Sequence, residues 1–200
     1  METVDVVVAT FGNADLWSVL AKRAIHSAEC QTVKPAGVWY AHDLEGTDLS
    51  NARNQAAEES SADWLIFLDA DDELDSHYVE SMLAGDGDLR WPSTLGVVDG
   101  VEDDFPVLLQ PKRHILVGNH MVIGTMVRRQ LFTDVGGFRA GLPVLEDWDL
   151  WVRCLIAGAV ACPCPDAIYR VHVRKDSRNT NEQLHSQVYA DIQNRYRGMI

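Results

Sequence analysis

The run Trp64-Leu65-Ile66-Phe67-Leu68 stops at Asp69-Ala70-Asp71-Asp72. Five consecutive apolar residues in so short a run predict a strand buried on both faces, as in a parallel sheet. The carboxyl end of such a strand is where open α/β sheets place their ligands. Three carboxylates within four positions repel one another and are costly to desolvate. A divalent cation held among them removes that cost, and hard cations such as Mg²⁺ or Mn²⁺ choose oxygen ligands. The plainer alternative is that Asp71, Asp72, Glu73 and Asp75 form a solvated loop capping the next helix. A calcium loop fits less well. Asp69, Asp71, Glu73 and Glu80 fall at positions one, three, five and twelve of an EF-hand, but Leu74 stands where the sharp turn needs Gly.

The rest of the first hundred residues alternates strand and helix signals. Val4 to Thr10 reads as a first central strand, broken by the turn cluster Phe11-Gly12-Asn13. Asp15 can cap a helix running to about Cys30, with Leu16, Leu20, Ala24 and Ala28 on one stripe. Ala36 to His42 is a second strand. A helix capped by Asp48 or Ser50 follows from Asn51 to about Ser60, then the third strand, then a helix from Ser76 to about Leu83. This β-α-β-α-β-α order predicts an α/β fold of Rossmann type, with a mixed, mostly parallel central sheet. Neither GxGxxG nor GxxxxGK[ST] occurs, so a dinucleotide fingerprint and a P-loop are both unsupported.

The second half is less regular. Leu89 to Trp91, Leu95 to Val98 and Val107 to Leu109 read as short strands, and Asp99 to Asp104 as an acidic loop. Pro111 to Leu116 reads as a short helix, Gly124 to Arg128 as a strand, and Arg129 to Val135 as a helix ended by Gly136-Gly137. Glu146-Asp147 opens a helix that runs to Ala159. Val160 to Tyr169 holds one or two strands around Pro163 and Pro165. A basic segment, Arg170 to Arg178, precedes a last amphipathic helix begun by Thr180 or Asn181.

The formal net charge is -13, which argues against general nucleic-acid binding, since that depends on Lys and Arg neutralising phosphates. No stretch of about 20 apolar residues indicates a membrane span. The N-terminus enters a strand-like run without a charged leader. Cys30, Cys154, Cys162 and Cys164 lack CxxC spacing and read as free thiols, so a cytoplasmic setting is expected.

Three groups remain to be joined: the carboxylate cluster, the pair Glu146-Asp147 at a helix start, and His172 among cations. Alone, each reads as readily as a solvated loop, a cap or an exposed His. In this order they resemble the family 2 glycosyltransferases of the GT-A fold, over about residues 4 to 175. Val6-Val7-Val8-Ala9-Thr10-Phe11 is similar to that family's first strand, and Ala52-Arg53-Asn54 to its Ala-Arg-Asn element. Asp69-Ala70-Asp71-Asp72 is similar to its DxD motif. Val135-Gly136-Gly137-Phe138, then Glu146-Asp147-Trp148-Asp149-Leu150 and Arg153, resemble its Gly-Gly-Phe and Glu-Asp elements. Tyr169-Arg170-Val171-His172 resembles its late His segment. One departure is Tyr40-Ala41-His42-Asp43, where family members usually carry an Asp-rich, Gly-Ser turn.

The resemblance implies one domain over residues 1–200. About 1–100 form a nucleotide-sugar-binding half, about 101–178 an acceptor and catalytic half, and about 180–198 a C-terminal helix. It implies a metal-dependent transfer, with inversion, from a nucleoside-diphosphate sugar to the hydroxyl of a glycan, protein or small molecule. Asp147 is then the general base, with Glu146 beside it. Thr10, Phe11, Asp43, Arg53, Asp69 and Arg170 contact the nucleotide, and Asp71 with His172 holds Mn²⁺ or Mg²⁺. Two rival readings carry other expectations. A sugar-phosphate nucleotidyltransferase needs a Gly-rich, basic loop after the first strand, yet no Lys or Arg precedes Lys22. A non-catalytic nucleotide- or sugar-binding module would have no need of Glu146-Asp147.

Overall fold

The apolar run forms strand β3, Trp64–Asp69, with residues 64 to 68 wholly buried. Strand β1, Val4–Phe11, lies beside it, and β2, Gly37–Asp43, lies on the far side of β1. All three are parallel, so their carboxyl ends share one edge. Ala9 pairs with Asp69, Thr10 with His42 and Phe11 with Asp43. The long crossovers that parallel strands require are supplied by α1, Ala14–Glu29, and α2, Leu49–Glu59, and both helices pack on β1. The computed structural model describes residues 2–11, 14–43, 48–98, 101–105, 115–173 and 181–200.

Beyond β3 the sheet changes character. Its other elements are β4 (Glu73–Leu74), α3 (Tyr78–Ala84), β5 (Leu89–Val98), β6 (Val101–Phe105) and β7 (Met126–Arg128). They are followed by α4 (Arg129–Asp134), α5 (Glu146–Ile156), β8 (Ala161–His172) and α6 (Glu182–Tyr196). The strand order is β2-β1-β3-β7-β5-β8-β4, with β6 paired to β5. The β5–β8 pair is parallel, whereas β7, β4 and β6 join their neighbours antiparallel. The sheet is therefore mixed, with its parallel part concentrated at the β2-β1-β3 end.

Several boundaries differ from expectation for local reasons. Leu89–Val98 is one strand rather than two, and its register against β8 shifts between Pro92 and Ser93. Pro163 and Pro165 in β8 have no N–H to give the ladder, so the irregularity falls where the prolines stand. Residues 101 to 104, read as part of an acidic loop, belong to β6; among the described residues it pairs only with β5, which makes it an edge strand, where charge is tolerated. β4 is too short to leave a sequence signal. The strand expected at Val107 to Leu109, the start of the helix expected at Pro111, and Arg174, Lys175 and Arg178 lie outside the described residues. Among the described residues no helix is long and apolar enough to cross a membrane.

Candidate active site

Asp48 begins α2 as its N-cap, accepting from the Ser50 and Asn51 N–H groups. One turn further in, Arg53 points beneath the carboxyl edge of the sheet and is almost completely buried. Its Nη1 donates to Glu146 Oε1 at 2.6 Å, and its Nη2 donates to Asp69 Oδ1. Phe138 lies under the guanidinium, 5.3 Å from ring centroid to carbon. Burial pulls the Arg53 pKa down, but the charges of Asp69 and Glu146 raise it by more. The cation stays charged, and the two acids have a partner in a place where unpaired charge would be expensive.

The neighbouring Asn54 explains why two distant motifs occur together. Its Nδ2 donates to Phe138 O at 2.8 Å, and its Oδ1 accepts from Phe138 N at 2.8 Å. Gly137 passes so close, at φ +64°, that a Cβ there would lie 2.6 Å from Asn54 Oδ1. From α5, Arg153 donates to Val135 O at 2.6 Å and to Gly137 O at 2.7 Å. The Gly-Gly-Phe turn is thus fixed between α2 and α5. Leu145 then enters α5 with φ 60°, a left-handed conformation that costs a branched residue free energy. That strain sits directly before Glu146 and Asp147.

Asp147 is held at both carboxylate oxygens. The Trp148 N–H donates to Oδ1 at 2.7 Å, and Asn119 Nδ2 donates to Oδ2 at 2.9 Å. Burial and the adjacent Glu146 charge raise its pKa to about 7, against the lowering pull of these hydrogen bonds and of Arg53. A carboxylate with that pKa accepts a proton readily near neutrality. A cavity of about 240 Å³ opens beside it, and Arg53, Asp69, Asp72 and Tyr169 also line it.

The turn after β3 also contributes to this cavity, through Asp69 and Asp72. Asp72 is buried and accepts from the His172 N–H at 2.8 Å. Burial, then the charges of Asp69 and Asp71, push its pKa well up. Arg23 of α1 braces the same turn, donating to Asp71 O at 2.6 Å and pairing with Glu73 at 2.7 Å. β4 and β8 pair Glu73 with Arg170 and Leu74 with Tyr169, antiparallel. His172 Nε2 lies 3.4 Å from the Glu73 carboxylate. Burial and the Arg23 charge lower the His172 pKa, so the ring is neutral and able to ligate. Among the described residues no three His, Cys, Asp or Glu side chains group closely enough to hold a metal by themselves. An imidazole beside a carboxylate turn nonetheless suits Mg²⁺ or Mn²⁺, which needs only one or two protein ligands when substrate phosphates supply others.

The sequence-predicted residues fall into three places. Arg53, Asp69, Glu146 and Asp147 meet at the cavity. Asp71, Arg170 and His172 flank it on the β4–β8 side, where Arg170 pairs with Asp75 at 3.0 Å. Thr10, Phe11 and Asp43 stand along the β1–β2 edge. There Thr10 Oγ1 hydrogen-bonds His42 Nδ1, and Asp43 Oδ2 accepts from Asp48 N at 2.7 Å. Sequence reasoning did not find Asn119, which lies in no periodic or spaced pattern. It also gave no role to Asp149. This buried carboxylate accepts from Arg153 at 2.8 Å, Tyr196 at 2.7 Å, Arg195 at 3.2 Å and Arg139 at 3.3 Å.

The sequence profile of glycosyl transferase family 2 matches residues 21–142, more than half of the chain. No curated protein matches it. Among solved structures, S. aureus TarS 1–349 in complex with UDP-GlcNAc superposes with a TM-score of 0.70 at 14% identity, covering 95% of this chain and 66% of that one. The same fragment in complex with UDP gives 0.67 at 15% identity, covering 97% and 71%. A further S. aureus TarS structure gives 0.66 at 13%, covering 98% of this chain and 44% of that one. The chain therefore spans between 44% and 71% of these relatives, and at such identities the likeness is one of fold.

Proposed function

This chain belongs to glycosyl transferase family 2, and on that footing we propose that it transfers a sugar from a uridine-diphosphate sugar to an acceptor hydroxyl, with inversion. The observation that carries the reading is the placement of Asp147. A carboxylate with a pKa near 7 lines a cavity that Asp69 and Asp72 of the strand-end turn also line. An acceptor base and a donor anchor are required at opposite ends of the reacting sugar, and this cavity offers one of each. The uridine nucleotide is suggested by the TarS complexes with UDP-GlcNAc and UDP.

In this mechanism Thr10, Phe11 and Asp43 line the nucleotide end, along the shared edge of β1 and β2. Asp69, oriented by Arg53, meets the ribose. Asp71 and His172 are the residues that would hold a divalent cation, and Arg170 would add positive charge nearby. When bound, that cation stabilises the charge growing on the leaving diphosphate. The acceptor oxygen forms its bond to the anomeric carbon as its proton passes to Asp147. The bond from that carbon to the diphosphate oxygen breaks, and its electron pair leaves with UDP. Glu146 keeps Asp147 basic through its charge and stays fixed itself by Arg53. The four cysteines are free thiols, which suits a reducing cytoplasm.

The test is Asp147→Asn. General-base catalysis contributes about 10²–10⁴-fold. The variant is expected to release UDP from UDP-GlcNAc more slowly by about that factor, while binding UDP as tightly as the parent. Near-normal turnover would remove Asp147 from the base role.

A further inference from the structure

Asp147 depends on a segment that belongs to none of the motifs. Asn119 lies on the non-helical stretch between residue 115 and β7. The orientation of its amide is determined by its partners. Its Oδ1 accepts from the Met121 N–H at 3.3 Å, so its Nδ2 is the atom turned to Asp147. An amide N–H there favours the charged carboxylate and fixes the plane that the Trp148 N–H alone would leave free to tilt.

The stretch just before Asn119 is itself anchored, at three successive carbonyls. Trp148 Nε1 of α5 donates to Ile115 O at 2.5 Å, and Gln193 Nε2 of α6 donates to Leu116 O at 2.7 Å. Tyr189 Oη, also on α6, donates to Val117 O, and its ring lies tilted 4.8 Å from that of Trp148. Helix α6 is in turn docked on α5 by the Tyr196 and Arg195 bonds to Asp149.

We propose that Asn119 is a positioning residue for the base, holding the Asp147 carboxylate turned into the cavity, and that α5 and α6 fix Asn119 through the backbone of residues 115–117. The inference rests on the reading of Asp147 as base. It gives the C-terminal helix a part in catalysis although that helix does not line the cavity. The charged and titratable groups facing Asp147 are Glu146 from α5, Arg53 from α2, Asp69 and Asp72 from the end of β3, and Tyr169 from β8. His120 turns to the Trp91 ring instead, 6.1 Å between centroids. Asn119 is thus the neutral donor that offsets the surrounding negative charge.

The experiment is a carboxyl-carbon NMR titration of aspartate-labelled protein, in which the Asp147 resonance is the one missing from Asp147→Asn. Losing one hydrogen bond to a charged carboxylate raises its pKa by roughly one to two units. In Asn119→Ala the Asp147 midpoint is expected to rise by about one unit. The ascending limb of kcat against pH, measured as UDP release from UDP-GlcNAc, should move up with it while KM stays near the parent value. Gln193→Leu should shift both in the same direction by less. A merely structural Asn119 would lower kcat equally at every pH and leave the midpoint in place, and that result overturns the proposal. An unchanged midpoint in Gln193→Leu alone overturns the part given to α6. Full turnover in Asp147→Asn would instead defeat the base reading, while the NMR midpoint would still report whether Asn119 holds the carboxylate.

Discussion

The Arg53 guanidinium donates to Glu146 at 2.6 Å across 93 positions of sequence. Through its other nitrogen it reaches Asp69, so one buried side chain ties the helix before β3, the end of β3 and the start of α5. The Ala-Arg-Asn, DxD and Glu-Asp motifs are for this reason a single ion-pair network rather than three separate signals.

Arg53→Leu is therefore expected to be far more damaging than its loss of packing suggests. It leaves two carboxylates at a buried site without a cation, and breaking such a pair typically costs about 3–5 kcal/mol. Arg53→Lys should recover only part of this, because a single ammonium cannot present two parallel donors to two acids. Urea unfolding of the three proteins at pH 7 checks the order.

The raised pKa of Asp147 makes a statement about stability as well as rate. Its folded value of about 7 lies above the ordinary 3.8, so between those limits the folded protein holds a proton that the unfolded chain releases. Stability from this group therefore declines as pH rises from about 4 to 7 and stays low above that. Asp147→Asn removes the penalty. Relative to the parent it should gain stability as pH rises through this window, with an upper limit of about 4 kcal/mol at pH 8. Thermal unfolding of both proteins at pH 5 and pH 8 measures the gain, and turnover of the parent should climb with pH through about 7.

Asp149 shows the opposite linkage. Burial alone would raise its pKa, but the Tyr196 hydroxyl and the Arg153 guanidinium hold it below the usual carboxylate range. Its contribution is present above that range and is lost as pH falls through the folded value. Asp149→Asn should destabilise the protein by about 3 kcal/mol at pH 7, and the difference should narrow as the solution is acidified. Denaturant unfolding at pH 7 and pH 4 tests the direction.

Much of the fold is legible in local pattern. The β3 run, the stripe of α1 and the Asp48 cap each announce an element through the side chains of that element alone. What the pattern could not show depends on partners elsewhere in the chain. β6 carries Glu102, Asp103 and Asp104, and only its edge position beside β5 makes a strand of them. β4 is two residues long and exists because β8 passes by. The site divides in the same way. Asp69, Arg53 and Asp147 stand in ordered motifs, whereas Asn119 is known only by the 2.9 Å contact that folding creates. Asp149, a residue of the Glu-Asp element, looks like one more helix-start acid until Tyr196 and three arginines converge on it.

The proposed donor site is the edge formed by β1, β2 and β3, taking a uridine-diphosphate sugar with a cation at Asp71. It is tested most directly by the unfolding temperature with UDP, with Mn²⁺, and with both. A ligand that binds only the folded state stabilises it by about 2.7 kcal/mol at a hundred times its dissociation constant. A clear upward shift is expected with UDP and Mn²⁺ together, little with either alone, and none in Asp71→Ala. No shift with millimolar UDP and Mn²⁺, or an undiminished shift in Asp71→Ala, would contradict it.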